Sequence, residues 1–136
     1  MTFPKKFAAG EAPDGVLKLA QRLVPLLIEG DHPALLALRQ QFARARVKEV
    51  ELTGHGFYVD FEVPPDVALA EPADFAGGDA KLQVQGVTNG AGSVLFVRGG
   101  RLATLEGYTY GDDAWADNAG VLSIEDVFPI VPDSAG

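Results

Sequence analysis

The segment from Ser93 to Tyr110 constrains this chain more than any other, because it reads as two strands joined by Gly99-Gly100. Glycine takes the positive φ angles that a two-residue hairpin turn needs. Such a turn sets Arg98 opposite Arg101, Val97 opposite Leu102, Phe96 opposite Ala103, Leu95 opposite Thr104 and Val94 opposite Leu105. In that register one face carries Val94, Phe96, Ala103 and Leu105, and the other carries Leu95, Val97, Leu102 and Thr104. Both faces are largely apolar, and a ribbon apolar on both sides has to be covered on both sides.

The residues upstream supply cover for one face. Val16, Leu17, Ala20, Leu23, Val24 and Leu27 recur at helical spacing behind Asp14, a good N-cap, and Pro25 is expected to kink or break that helix. Gly30 suits a C-terminal cap and Asp31 the N-cap of a second helix. Pro33 then sits in its first turn, with Leu35, Leu38 and Phe42 inward and Arg39, Gln40 and Arg44 outward. From Val47 the period changes to two. Phe57, Val59, Phe61 and Val63 alternate with Tyr58, Asp60 and Glu62, and Gly54-His55-Gly56 turns this strand back onto Val50 and Leu52. Lys81 to Val87 adds a further strand, and the proline-rich stretch 64–79 reads as a long loop placed to act as a lid.

The fold class that follows is α+β: two N-terminal helices packed on an antiparallel β-meander of about five strands. One domain spans 13–132, preceded by a loose arm at 1–12. The second face of the sheet is left to the apolar C-terminal segment around Val121 to Val131 or to a second copy of the chain. A homodimer is therefore the expected assembly.

Charge narrows the partners. The net charge of −8 disfavours nucleic acid and anionic membrane surfaces. It is also uneven: residues 1–50 hold eight Lys/Arg against five Asp/Glu, whereas residues 51–136 hold three against fourteen. Zero cysteines exclude disulfides, thiolate metal sites and cysteine nucleophiles, and no cofactor is expected. Lys5-Lys6 is not followed by an apolar signal-peptide core, and Leu23 to Ile28 is too short to span a bilayer, so a cytoplasmic protein is expected.

Few residues suggest chemistry. Gly90 and Gly92 match the first two positions of a dinucleotide fingerprint, but Leu95 occupies the third. Ser93 is not centred in a nucleophile elbow. Asp60 and Glu62 share a strand face about 6–7 Å apart, a spacing open to acid/base work and equally to a solvated face. Glu106 lies in an apolar strand within reach of Tyr58, Tyr108 or Tyr110. Arg98 and Arg101 face each other across the turn, where like charges are unfavourable unless an anion, a partner's carboxylate, or Asp112 and Asp113 compensate, or both side chains splay into water at the hairpin tip. The Asp112–Asn118 run lacks the alternating order of a calcium loop, and no metal site is assigned. His55 stands in a turn. The candidate ligand-binding residues are Glu106, Tyr108, Arg98, Arg101 and His55, and no catalytic residue is assigned.

Leu27 to Pro33, Thr53 to Phe57, Gly90 to Arg98, Leu105 to Tyr110 and Trp115 together resemble a family of small bacterial α+β proteins without an assigned activity. The resemblance covers roughly residues 26–116 and implies a compact bacterial domain with no catalytic residue to carry over. The expected function is a non-enzymatic binding or interaction protein that self-associates. Two alternatives stand beside it: a small hydrolase or ligand-binding protein using Glu106, Asp60, Glu62 and His55 beneath the 64–79 loop, and an immunity-type inhibitor whose acidic face covers a basic protein.

Overall fold

The computed structural model describes residues 3–117 and 119–132, so Asn118 of the acidic run lies outside the described residues. Among the described residues two α-helices, α1 (Asp14–Leu27) and α2 (Pro33–Arg44), accompany eight strands. These are β1 (Lys5–Ala8), β2 (Arg46–Leu52), β3 (Gly56–Glu62), β4 (Phe75–Gly77), β5 (Asp79–Val84), β6 (Ala91–Arg98), β7 (Arg101–Thr109) and β8 (Val121–Phe128). The fold is α+β with an antiparallel sheet. The count of five is corrected to eight, because β1, β4 and β8 are short or edge strands without clean alternation. The helices are not the first elements either. Lys5–Ala8, read above as part of a loose arm, pairs with β2 and sets Phe7 opposite Val50.

The sheet runs β1-β2-β3-β7-β6-β5-β8, with β4 also against β6. Helix α1 buries Val16, Leu19, Ala20, Leu23, Val24 and Leu27 on one stripe and runs past the exposed Pro25 for two more residues. Helix α2 is capped by His32 rather than Asp31: the His32 Nδ1 accepts the Ala34 amide at 3.0 Å, and Pro33 opens the helix. The buried stripes of both helices share one core with Val50, Leu52, Phe57, Val59, Leu82, Leu95, Val97, Leu102 and Leu105.

The hairpin register is as expected at its tip, Arg98 opposite Arg101 and Val97 opposite Leu102, and then a β-bulge intervenes. Ala103 is the extra residue. Beyond it Phe96 pairs with Thr104, Leu95 with Leu105 and Val94 with Glu106. One inserted residue sends every later side chain of β7 to the opposite face. Leu95, Val97, Leu102 and Leu105 therefore all enter the core, none more than 1% exposed. Thr104, Glu106 and Tyr108 join Val94 and Phe96 on the outer face. The expectation of two apolar faces is thereby corrected: the face away from the helices mixes half-buried Val94 and Phe96 with polar side chains.

The C-terminal segment does not cover that outer face. β8 extends the sheet beside β5, and the Ile130 amide donates to Leu27 O at 2.8 Å, docking the segment on the end of α1. Among the described residues no helix is long and apolar enough to cross a membrane.

Candidate binding site

Strand alternation on β3 and β7, reset by the bulge, brings Tyr58 opposite Glu106 in the middle of the outer face. Burial first, and the neighbouring Glu106 carboxylate second, hold the Tyr58 phenol above its ordinary pKa. One step along, Tyr108 pairs with Gly92, and the rings of Tyr108 and Tyr110 meet edge to face at 5.9 Å. A Cβ on Gly92 would lie 2.6 Å from the Tyr110 hydroxyl, 2.9 Å from that of Tyr108 and 3.0 Å from Asp79 Oδ1. These three groups thus converge over Gly92, where any side chain would push them apart. Asp79 is fixed from below, its Oδ1 accepting the Ala80 and Ser93 amides at 2.8 and 2.9 Å. Burial, then the charge of Asp79, raises the pKa of both tyrosines.

A second cluster forms at the hairpin end. The end of α2, the start of β2 and the Gly99-Gly100 turn bring Arg44, Arg46 and Arg101 around a cleft of about 370 Å³, with Glu62, Val63, Pro64 and Pro65 completing its walls. An adjoining cleft of about 380 Å³ adds Lys48, Arg98, Asp60 and Thr104. Arg44 makes an exposed ion pair with Asp66. Arg101 donates to Pro65 O at 3.3 Å, and Arg98 donates to Thr104 Oγ1 at 3.3 Å while lying 5.1 Å over the Phe96 ring. Thr104 in turn donates to Asp60 Oδ1 at 2.8 Å.

The structure therefore divides the candidate residues among three places. Arg98 and Arg101 stand at the hairpin end and Glu106 and Tyr108 farther along the outer face. His55 lies in the β2–β3 turn at the other end, its Nδ1 3.1 Å from Asp113 O. Along β7, Arg101 and Tyr108 are separated by roughly 20 Å of strand. Asp113 does not compensate the arginines: its carboxylate accepts the Thr88 and Asn89 amides at the far end of the sheet. Asp74 caps the turn instead, accepting the Gly99 amide at 2.9 Å. Nor is the 64–79 stretch an open lid. Ala70 donates to Gly100 O at 2.9 Å and Gly100 donates to Ala73 O at 2.8 Å, so the strap is pinned to the hairpin.

Arg44, Arg46 and Lys48 were missed as site residues, although three cations within five residues at a helix-to-strand junction were a usable signal. Asp79 and Tyr110 were missed because only the register reveals their convergence over Gly92. Among the described residues, no group of three or more His, Asp or Glu side chains is arranged to hold a metal ion. Comparison with protein-family models, curated proteins and solved structures yields no match.

Proposed function

We propose that this protein is a non-enzymatic binding protein that meets another protein surface, in the first instance a second copy of itself, through the outer face of its sheet. The observation that carries this reading is the strip formed there by Tyr58, Tyr108, Tyr110, Phe96 and Val94, on strands held in place by the core. Aromatic side chains with polar neighbours are the usual composition of interface centres. The hydrolase alternative draws no such support, because Glu106, His55 and the 64–79 strap are not gathered at one place.

Sedimentation and light scattering from micromolar to millimolar protein test the proposal. Self-association is expected, weakened by Tyr108→Ser and Phe96→Ser and unchanged by Leu36→Ser on the exposed side of α2. A monodisperse monomer across that range removes self-association. The carboxylates of Glu51, Asp60, Glu106 and Asp79 on the same face favour a second reading, an immunity-type inhibitor of a basic protein. Its signature is binding that weakens with added salt and with Glu106→Lys.

A further inference from the structure

We infer that the cleft bounded by Arg44, Arg46 and Arg101 binds a phosphate group carried on an apolar body. This cleft lies beyond the hairpin end of the aromatic strip and meets it where Arg98 lies over Phe96; the inference does not rest on self-association. Five of the eleven cationic side chains of a chain with net charge −8 line this cleft and its neighbour: Arg44, Arg46, Lys48, Arg98 and Arg101. They come from separate elements, so the fold, not local sequence alone, assembles them. Arg98 and Arg101 are directly opposite each other in the hairpin register, with their guanidiniums on Thr104 Oγ1 and Pro65 O, so two cations flank the same end of the sheet without a carboxylate between them.

The partners these cations do have leave capacity for a ligand. Among the described residues only Arg44 of the five has a carboxylate oxygen within 4.0 Å. Asp60 accepts the Thr104 hydroxyl, and Glu62, opposite Arg46 in the β2–β3 register, offsets part of the charge without closing an ion pair. Asp66 shows how little a carboxylate needs: both of its oxygens lie within 3.4 Å of the single Arg44 guanidinium. Among the described residues the Arg46 side chain makes no hydrogen bond, and Arg101 commits one N–H to Pro65 O. A group with three terminal oxygens offers several guanidinium forks more acceptor sites, spread in three directions, than the two coplanar oxygens of a carboxylate.

The rest of the cleft fixes the kind of phosphate. Val63, Pro64 and Pro65 form an apolar wall beside the arginines, suited to an aromatic or aliphatic substituent. The volume of about 370 Å³ suits a small molecule. A polyanion such as nucleic acid would meet the net negative charge of the remaining surface, so a single phosphate monoester is the fitting class.

Calorimetric titration at low salt with phenyl phosphate, inorganic phosphate and benzoate tests the inference. Phenyl phosphate is expected to bind more tightly than either of the others, and the double variant Arg46→Gln/Arg101→Gln to weaken it at least tenfold. Lys81→Gln, on exposed β5 surface, is expected to leave it unchanged. Binding is also expected to weaken as pH falls through about 6, where a phosphate monoester takes up its second proton. Equal affinity for benzoate, or undiminished phenyl phosphate binding by the double variant, overturns the site. The emission of Trp115 and the urea midpoint verify that the variant is folded, and its sedimentation reports separately on self-association.

Discussion

Gln41 Oε1 accepts the Leu102 amide at 2.8 Å, joining the last turns of α2 to the start of β7 through a side chain with no solvent exposure. Its Nε2 donates to Ala68 O and Gly100 O, each at 2.8 Å. One amide side chain thereby ties helix, hairpin and the 64–79 strap together. A buried amide group left without a partner costs about 1–3 kcal/mol. Gln41→Leu, which orphans the Leu102 amide, is expected to destabilise the protein by roughly 2–4 kcal/mol. Urea unfolding followed by Trp115 emission measures this, and an unchanged midpoint would contradict the role given to Gln41.

The helices and the central strands were legible in the sequence because their apolar periods, 3.6 and 2, survive in the structure. Val16 to Leu27, Phe57/Val59 and the Arg98/Arg101 turn all stand where that pattern puts them. The bulge at Ala103 was not legible from the turn, because a small side chain fits either face and leaves no mark of its own. The signal lay downstream: Thr104, Glu106 and Tyr108 alternate with Leu105, Gly107 and Thr109, and only a one-residue slip puts the polar set together outside. Gln41 was equally hidden, since a glutamine on a helix is most often solvated and its partners are 27, 59 and 61 residues away. The site suffered from the same gap, because Asp79, Gly92 and Tyr110 meet only through long-range register.

Gly107 is expected to tolerate no side chain. A Cβ there would overlap the ring of Phe57, which is 1% exposed and packs edge to face on Trp115 at 5.2 Å. Gly107→Ala forces Phe57 out of place and is expected to cost about 1–3 kcal/mol. Trp115 is the only tryptophan in the chain, so its emission maximum reports the disturbance directly. An unshifted spectrum with wild-type stability would show that the Phe57–Trp115 pair is not packed this way.

The Asp66 carboxyl is held below its ordinary pKa first by the hydrogen bonds from Arg44. A depressed folded value means that the stabilisation is present above the unfolded carboxyl pKa, near 4, and is lost as pH falls through the folded one. Because the pair is exposed, the effect on stability is expected to be small. The sharper measurement is the carboxyl carbon shift of Asp66 in an NMR titration. Its midpoint is expected below the usual aspartate range and should return to that range in Arg44→Gln.

The tyrosines of the outer face give the most discriminating titration. Burial raises all three phenols, but the charged neighbours differ: Glu106 and Glu51 act on Tyr58, whereas Asp79 acts on Tyr108 and Tyr110, with Glu106 a lesser influence on Tyr108. Absorbance near 295 nm should therefore show tyrosinate forming in the folded protein above the ordinary phenol pKa of about 10. The sign for stability follows. Below the unfolded value both states are protonated, and as pH rises from there through the raised folded values the unfolded state loses protons first, so stability falls. Glu106→Gln is expected to lower the Tyr58 midpoint most, with a smaller effect on Tyr108 and none on Tyr110. Asp79→Asn is expected to lower Tyr108 and Tyr110 while leaving Tyr58 in place. Specific ring labels read by NMR separate the three midpoints. A response of Tyr110 to Glu106→Gln, or of Tyr58 to Asp79→Asn, would mean that the two carboxylates act on one shared cluster instead of two neighbouring ones.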